Sequence, residues 1–204
     1  MKISHEQLAV QLQAALGADA LSAEPHELES HRVAGKLPAL VCLPQSADEI
    51  AAVLRICAES AASVVPWGGG TAMAIGNPPR RLDVVISTTR MNRLIEHDHA
   101  NLTVTVQSGA TLGALQTALG PQKQFLPFDA PGPEHSTIGG IVSANLNGPK
   151  RSSYGNVRDL VIGMKVVLGS GEQIKAGGKV VKNVAGYDLC KLFTGSLGSL
   201  GILT

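Results

Sequence analysis

A glycine-rich stretch, 66-PWGGGTAMAIG-76, holds the residues best suited to bind an anion. Gly68, Gly69 and Gly70 follow one another, and Thr71 adds a hydroxyl group. Ordering glycine costs more backbone entropy than ordering other residues, so a run of three needs a physical reason. Without Cβ atoms, a ligand can approach successive backbone N–H groups, which form a concave phosphate site. The stretch predicts either a phosphate-binding loop or a mobile surface turn.

This glycine loop differs from two common nucleotide-binding patterns. It lacks the GxxxxGK[ST] sequence, which disfavours a nucleotide triphosphatase. It also lacks GxGxxG, because Met73 stands where the last glycine is required. If the loop holds a phosphate, a valine at Gly69 would occupy the phosphate's space and resist a positive φ. We expect that variant to lose the ligand and to keep its ligand-free fold largely intact.

Four further glycine-containing segments occur later in the chain. They are 136-STIGG-140, 154-YGNVRDLVIG-163, 182-KNVAGYDL-189 and 195-GSLGSLGILT-204. In the first, two hydroxyl residues precede a predicted helix start, where N–H groups converge and favour an anion. In the last, Gly195, Gly198 and Gly201 recur at every third position, which indicates close approaches of the backbone to a flat ligand.

Other residues that could do chemistry fit structural roles better. Cys42, Cys57 and Cys190 show no CxxC spacing, so we expect buried thiols in a reducing compartment. The sequence 97-HDH-99 falls on a predicted loop and lacks a third ligand, so no metal site is expected. His135 lies in a proline-rich loop, where a solvated or structural role is favoured over a proton shuttle.

The composition excludes several classes of function. The chain has 204 residues, enough for one domain or two small lobes, and 44% of them are hydrophobic. A net charge of +1 and 3% aromatic residues are too little for a nucleic-acid partner, so none is expected. No apolar run of about 18 residues and no signal-peptide core are present, so we expect no transmembrane segment and a cytoplasmic protein.

The elements around the glycine loop predict a βαβ lobe. The predicted elements are a helix at 6–16, strands at 39–44, 63–66 and 82–88, and a helix at 47–60 that a capping box of Ser46 and Glu49 opens. Residues 18–37 are mixed and polar, without a clear pattern. The glycine loop then follows a strand directly, at the end where ligands bind in α/β sheets.

From about residue 91 the pattern changes to a mixed α+β lobe. The predicted elements are a strand at 102–109, helices at 112–120, near 138–145 and at 189–194, a hairpin over 161–178 that turns at 169–171, and a final strand at 200–204. We therefore expect an N-terminal helix and lead-in over 1–37, lobe one over about 38–90 and lobe two over about 91–204.

The motifs together resemble a known family. PWGGGT, STIGG, YGNVRDLV, VKNVAGYDL and GSLGILT stand here in the order typical of the flavin-binding domain of the vanillyl-alcohol-oxidase or PCMH family. The resemblance covers about residues 38–204 and implies a two-lobed α+β fold that holds FAD between its lobes. Within the family, the chain is most similar to the FAD-binding subunits of bacterial glycolate oxidases. That similarity implies oxidation of a 2-hydroxy acid, glycolate to glyoxylate, with FAD as hydride acceptor.

The resemblance also assigns cofactor-binding residues. They are Pro66, Trp67, Gly68, Gly69, Gly70, Thr71, Ala72, Met73, Pro131, Thr137, Ile138, Gly139, Gly140, Ile141, Tyr154, Gly155, Arg158, Asp159, Asn183, Gly186, Tyr187, Gly201, Ile202 and Leu203. Residues 66–73 would cradle the diphosphate, and 137–141 would meet the ribityl and diphosphate side. Residues 201–203 would offer main-chain hydrogen bonds, and 183–188 would shape the flavin side.

Some of these residues have structural alternatives. Arg158 and Asp159 could form an ordinary ion pair of a turn. Tyr187 could anchor a helix, and Asp188 could cap one. Trp67 could pack beside the glycine loop without touching a ligand.

Two departures from the family limit what the resemblance implies. Some relatives tether FAD through a His or Cys near the glycine loop, and this loop has neither, so FAD is expected to bind non-covalently. Relatives place the catalytic base and the substrate site in a domain after the GxLGIxT strand, where this chain ends. Catalytic residues are therefore expected outside the chain, and the 2-hydroxy acid would bind through a missing domain or a partner.

The resemblance further implies partner proteins. A second flavoprotein subunit and an iron–sulfur subunit are expected, and they could place the chain at the periphery of the inner membrane. Two alternatives stay open. The chain could be the FAD-binding part of another oxidoreductase, such as a D-lactate dehydrogenase or a UDP-enolpyruvylglucosamine reductase relative. It could also be a non-catalytic, flavin-carrying subunit of a complex.

Overall fold

A four-stranded sheet carries the glycine loop at the end of one strand. The computed structural model of the chain describes residues 4–179 and 187–204. The strands are β1 (Leu21–Ser22), β2 (Leu40–Cys42), β3 (Val64–Trp67) and β4 (Val84–Ser87), in the spatial order β1-β2-β4-β3. β2 and β3 both run parallel to β4, whereas β1 is antiparallel to β2. All residues of β2 and β4 are buried, as is typical of parallel strands covered on both faces.

Three helices accompany this sheet. They are α1 (His5–Leu16), α2 (Pro25–Ser30) and α3 (Ala47–Glu59), with a short 3₁₀ turn at Ala18–Ala20. α3 begins where predicted, because the Ser46 hydroxyl accepts the N–H of Glu49. The predicted capping box is only half formed, because the Glu49 carboxylate accepts the N–H of Gln45 and not that of Ser46. Leu8 and Leu12 of α1 join Ile50 of α3 in one buried cluster under the sheet.

The rest of the chain forms two smaller sheets with short helices. Its strands are β5 (Leu94–Asp98), β6 (Thr103–Val106), β7 (Gly163–Val167), β8 (Gln173–Gly177) and β9 (Ile202–Leu203), and its helices are α4 (Leu112–Leu119), α5 (Ile138–Ala144), α6 (Arg151–Tyr154), α7 (Val157–Leu160) and α8 (Leu189–Phe193). A 3₁₀ turn, Gly120–Gln122, follows α4. β5 and β6 form an antiparallel pair, and a second antiparallel sheet has the order β8-β7-β9.

The two parts of the chain share a core. Val167 of β7 and Ile202 of β9 belong to the same buried cluster as α1, α3 and the first sheet. A second cluster packs Leu112, Ile141 and Phe193 against the other side of the antiparallel sheet. The C-terminal strand therefore joins the region of the glycine loop to the rest of the molecule.

The predicted α+β class is confirmed, and most predicted elements are present. The hairpin turns at residues 169–171 as predicted, where the Leu168 N–H donates to the carbonyl of Glu172. One prediction was wrong. The segment 97-HDH-99, predicted as a loop, begins within β5, where His97 lies opposite Val104. The polar segment 18–37, for which no element was predicted, holds β1 and α2. The division into a lead-in and two lobes stays a prediction.

In the part of the chain that is described, no helix combines the length and the apolar character needed to cross a membrane.

Candidate functional site

A cavity of about 590 Å³ lies beside the glycine loop. Its walls come from β3 and the glycine loop, from α5, and from the C-terminal segment 196–203. This volume is in the range of about 300–1,000 Å³ that is typical of small-molecule sites. Within residues 4–179 and 187–204, only uncharged residues line it. An anionic ligand here would have to be held by backbone N–H groups and hydroxyl groups.

The glycine loop supplies such N–H groups. Among the described residues, the backbone N–H groups of Gly69, Gly70, Thr71 and Ala72 have no hydrogen-bond acceptor. Gly70 has a φ of +75°, in the left-handed region, so the chain reverses its curvature at this point. A left-handed residue among right-handed neighbours is the geometry in which successive N–H groups converge on an anion. The glycine loop therefore has the unpaired donors that a phosphate requires.

The start of α5 lacks the free donors that the sequence predicted there. The N–H of Ile138 donates to the carbonyl of Ala110, and that of Gly139 donates to the carbonyl of Ser108 at 2.7 Å. The N–H of Gly140 donates to the hydroxyl of its own N-cap, Thr137, at 3.2 Å. The prediction of N–H groups converging at this helix start is therefore wrong, because protein acceptors already occupy them.

Two of the loop glycines are needed by the protein itself. A Cβ on Gly68 would overlap the hydroxyl of Thr137, and a Cβ on Gly69 would overlap the carbonyl oxygen of His135. Of Gly68, Gly69 and Gly70, only Gly70 has a φ in the left-handed region. The expectation that a valine at Gly69 leaves the ligand-free fold intact is therefore wrong. The glycine loop packs directly on the segment that leads into α5.

The hydroxyl of Thr71 has its proton committed inside the protein. Ser136 is buried, and its hydroxyl donates to the carbonyl of Pro131 at 2.6 Å. Thr71 Oγ1 lies 3.0 Å from Ser136 Oγ. Because the Ser136 proton is used, Thr71 is the donor of this pair. In this arrangement Thr71 offers a ligand its backbone N–H and not the hydroxyl proton that the sequence predicted.

The C-terminal glycines also make room for protein atoms. A Cβ on Gly198 would come within 2.9 Å of the Pro66 ring, and one on Gly201 within 2.6 Å of Val166 Cγ1. Both glycines line the cavity as well. At Gly198 and Gly201, the spacing that indicated a flat ligand thus reflects packing against β3 and β7, while Gly195 lies beside Asn145.

A second cavity, of about 510 Å³, borders Trp67, Gly68 and Gly69. Trp67 and Gly68 line both cavities, while Gly69 and Thr137 line only the second. This cavity is more polar, with Glu27, Glu134, His31 and His135 among its lining residues. The His31 ring lies 4.8 Å from the Trp67 ring. Trp67 therefore packs against another side chain, in line with the structural alternative given for it above.

The predicted cofactor residues fall into four groups, one of which is the pair Gly69 and Thr137 that lines only the second cavity. Those that line the first cavity are Pro66, Trp67, Gly68, Ala72, Met73, Gly139, Gly140, Gly201, Ile202 and Leu203. Those that line neither cavity are Gly70, Thr71, Pro131, Ile138, Ile141, Tyr154, Gly155, Arg158, Asp159 and Tyr187. Asn183 and Gly186 lie outside the described residues. All of these assignments stay predictions.

The residues far from the cavities have identifiable neighbours. Tyr154 is half exposed and packs edge-on against Phe125, with ring centroids 5.3 Å apart. Asp159 accepts a hydrogen bond from the Asn156 side chain at 3.2 Å. Tyr187 is 94% exposed, so it does not anchor a helix by packing. Asp188 caps α8 by accepting the N–H of Lys191, which was its structural alternative.

Sequence reasoning missed several residues of the cavity wall. Ser108 and Ser143 line the first cavity, and no motif singled them out. Ser108 is only 5% exposed, and its hydroxyl has no hydrogen-bond partner among the described residues. A serine near the end of the predicted strand at 102–109 carries no signal of its own, because its role depends on which element packs beside it.

The three cysteines are buried and reduced, as predicted. Burial, and then the nearby Cys57, raises the pKa of Cys42. Burial, and then the charge of Asp83, raises the pKa of Cys57 to about 12. Burial likewise raises the pKa of Cys190. These thiols stay protonated near neutral pH and are poor nucleophiles.

A buried carboxylate fixes the strands that present the glycine loop. Asp83, before β4, accepts hydrogen bonds from the Ser63 N–H at 2.8 Å and the Ser63 hydroxyl at 2.9 Å. Arg81 Nε donates to the same carboxylate at 2.7 Å. Burial favours the neutral acid, but the hydrogen bonds from Ser63 and His5 and the charge of Arg81 outweigh it and lower the pKa to about 2. Asp83 thus fastens the start of β3 to β4.

Comparison with known proteins identifies the family. The model of a family described as "FAD binding domain" matches residues 38–177. The chain is 42% identical to the glycolate oxidase subunit GlcD of Bacillus subtilis over 168 residues, which are 82% of this chain and 36% of that protein. It is 36% identical to a D-2-hydroxyglutarate dehydrogenase of Xanthomonas citri pv. viticola over 197 residues, which are 94% of this chain and 42% of that protein.

A solved structure shows the same fold. An alkyldihydroxyacetonephosphate synthase superposes with a TM-score of 0.85 at 24% identity, covering 100% of this chain and 40% of that protein. The chain therefore belongs to the FAD binding domain family, and FAD is its cofactor. It spans well under half the length of these relatives.

Proposed function

We propose that the chain is the FAD-binding part of a flavoprotein that oxidises a 2-hydroxy acid, with glycolate as the first candidate substrate. The observation that carries the cofactor site is the set of unpaired N–H groups at residues 69–72, of which Ala72 lines the uncharged first cavity and Gly69 lines the second. The substrate class rests on the names of the relatives, a glycolate oxidase subunit and a D-2-hydroxyglutarate dehydrogenase.

The cavity and the glycine loop fit a dinucleotide. The FAD diphosphate would meet the N–H groups of Gly69, Gly70 and Thr71, and the apolar walls from β3 and from 201–203 would exclude water. FAD would bind non-covalently, because no His or Cys lines the first cavity among the described residues. Acid precipitation should then release the flavin. His31 and His135 border the second cavity, so retention of flavin in the precipitate would direct attention to those rings.

Bound FAD supplies a hydride acceptor for the hydrogen on the carbon that bears the substrate hydroxyl. The residues of this chain hold and orient the cofactor. A base for the hydroxyl proton and a cation for the carboxylate would come from outside the described residues, because the first cavity has no charged lining there.

We further propose that the chain works with partner subunits. The relative from Bacillus subtilis is itself called a subunit, and the resemblance implies a second flavoprotein and an iron–sulfur protein. Those partners would connect a cytoplasmic FAD-binding part with an electron acceptor, and they could hold the assembly at the inner membrane.

The assembly itself provides the test. The gene would be tagged in its own host, the complex purified, and the reduction of an acceptor dye followed with glycolate, D-lactate and D-2-hydroxyglutarate. L-lactate serves as the control for stereochemistry. Dye reduction by at least one of the three acids, with FAD in the complex, is the expected result. An FAD-containing complex that none of the three acids reduces would contradict the proposed substrate class.

A D-2-hydroxyglutarate dehydrogenase is the second candidate. The relative with that name matches 94% of this chain, which is a longer match than that of the glycolate oxidase subunit. The same assay separates the two candidates, since each predicts the larger kcat/KM for its own acid.

A further inference from the structure

We infer that Ser108 binds the cofactor, and that its hydroxyl donates a hydrogen bond to an oxygen of the FAD diphosphate. This inference rests on the proposed cofactor site and adds to it a residue that no motif contains. It starts from the buried hydroxyl groups of the described residues. Two of them, Thr103 Oγ1 and Ser108 Oγ, have no hydrogen-bond partner.

Ser108 differs from Thr103 in its position. Ser108 lines the cavity beside Gly139 and Gly140, whereas Thr103 lies on β6 and lines neither cavity. A buried hydroxyl without a partner is unfavourable, and structures seldom retain one without a reason. A ligand that occupies the cavity would satisfy Ser108 and would leave Thr103 unchanged.

The backbone holds Ser108 firmly against α5. The carbonyl of Ser108 accepts the N–H of Gly139 at 2.7 Å, and a Cβ on Gly139 would come within 2.7 Å of Ser108 Cβ. The glycine at 139 is therefore what lets this serine approach the helix. A serine side chain has one heavy-atom torsion, so rotation about Cα–Cβ is the movement that turns the hydroxyl towards a ligand.

Two neighbouring hydroxyl groups have no proton to offer a ligand. The Ser136 proton goes to Pro131, and the Thr71 proton goes to Ser136. The first N–H groups of α5 also have protein acceptors. A diphosphate offers only acceptors and carries negative charge, so it needs donors on the α5 side of the cavity as well as at the glycine loop. Ser108 has a hydroxyl proton with no other partner.

The test compares Ser108→Ala with Thr103→Val, which removes the other unpartnered hydroxyl. Binding of FAD and of ADP is measured by calorimetry, and unfolding of the ligand-free proteins by heating. We expect Ser108→Ala to weaken FAD and ADP alike by roughly tenfold, without lowering the ligand-free melting temperature. Thr103→Val should leave both affinities unchanged. Ser108→Cys fills the same space with a weaker donor, so it should give an intermediate loss of FAD and ADP affinity. It replaces the alanine variant in the test if that variant folds poorly.

Two results would overturn the inference. Unchanged FAD affinity in Ser108→Ala would show that the hydroxyl has no part in binding. Loss of FAD affinity with ADP affinity intact would place the hydroxyl at the flavin half and refute the diphosphate contact. Failure of the unsubstituted protein to bind FAD is a separate outcome, which would contradict the proposed function itself.

Discussion

At the scale of single residues, the glycine loop serves the protein and the cofactor at once. Gly68 and Gly69 lie against Thr137 and His135, so their missing Cβ atoms are required before any ligand arrives. The loop N–H groups stay unpaired in that packed position. Packing of the glycines on the segment before α5 therefore holds the phosphate donors in place, which reduces the entropy lost on binding.

A substitution at Gly69 tests this packing. Gly69→Ala should destabilise the ligand-free protein by roughly 1–3 kcal/mol, because the new methyl group overlaps the His135 carbonyl. Gly120→Ala is the matched control, since nothing lies within 4 Å of its Cβ and its backbone is helical. That control should be neutral or stabilising by up to about 1 kcal/mol. Urea unfolding of both variants without FAD measures the difference. Equal stabilities would contradict the packing role.

The sequence indicated the right loop for a reason that is only partly right. Glycine at three successive positions shows that something approaches the backbone closely, but the residue type does not tell a ligand from a protein segment. The same limit applies to Gly198 and Gly201, which meet Pro66 and Val166. Ser108 could not be predicted, because its unpaired hydroxyl follows from the packing of the strand end against α5.

At the scale of elements, the parallel pair β3 and β4 presents the glycine loop. Asp83 links the starts of these strands through Ser63, with four neighbours around its carboxylate: the Ser63 N–H, the Ser63 hydroxyl, Arg81 and His5. This hydrogen-bond network around Asp83 lies at the opposite end of β3 from the glycine loop. It sets where the strand begins and, through the register of Val65 with Val85, where the loop begins.

This network predicts an acid-sensitive strand pair. The pKa of Asp83 is about 2 in the folded protein, below its value near 3.8 in an unfolded chain. The stabilisation is therefore complete above about pH 4 and is lost as the pH falls towards 2, where the folded carboxylate is protonated. Asp83→Asn should lower stability at pH 7 by roughly 2 kcal/mol. The difference from the unsubstituted protein should shrink below pH 4, as urea unfolding at several pH values would measure. A difference that stays constant down to pH 2 would contradict this role.

The uncharged wall of the first cavity predicts weak dependence on salt. N–H groups and hydroxyls, not Lys or Arg, would hold the diphosphate, since only uncharged residues among those described line this cavity. The Kd for FAD should change by less than about twofold between about 0.05 M and 0.5 M sodium chloride, because little side-chain charge is there to be screened. Calorimetry at each salt concentration gives the Kd. Weakening by tenfold or more would show that a cation binds the phosphates.

Element prediction failed where side-chain pattern and structure diverge. β5 carries Glu96, His97 and Asp98, which lack the alternation expected of a half-buried strand. β5 forms because β6 pairs with it. His97 Nε2 also makes a hydrogen bond with Gln124 Oε1, at 2.8 Å. β1 has two residues, too few for any period, and depends on its pairing with β2. The apolar strands and capped helices were predicted because their signals are local.

At the scale of the whole molecule, the chain binds the cofactor but lacks a described site for the substrate's carboxylate. Charged groups do not line the first cavity within the described residues. We therefore expect the FAD-loaded chain alone to remain oxidised when mixed anaerobically with glycolate, D-lactate or D-2-hydroxyglutarate. Proximity and acid–base catalysis together lower the activation barrier by roughly 10 kcal/mol. Without them, the flavin absorbance should show no reduction by the acids. Rapid bleaching by any of the acids would show that these 204 residues contain a complete active site.

The most direct test of the account compares FAD with FMN in a calorimetric titration of the unsubstituted protein. The central claim is that the glycine loop binds a diphosphate beside the uncharged cavity. FMN has the same flavin but only one phosphate and no adenosine. The account predicts that FAD binds at least roughly tenfold more tightly, since FMN forgoes one or more phosphate hydrogen bonds and the contacts of the adenosine half. Equal affinities for the two flavins would contradict it.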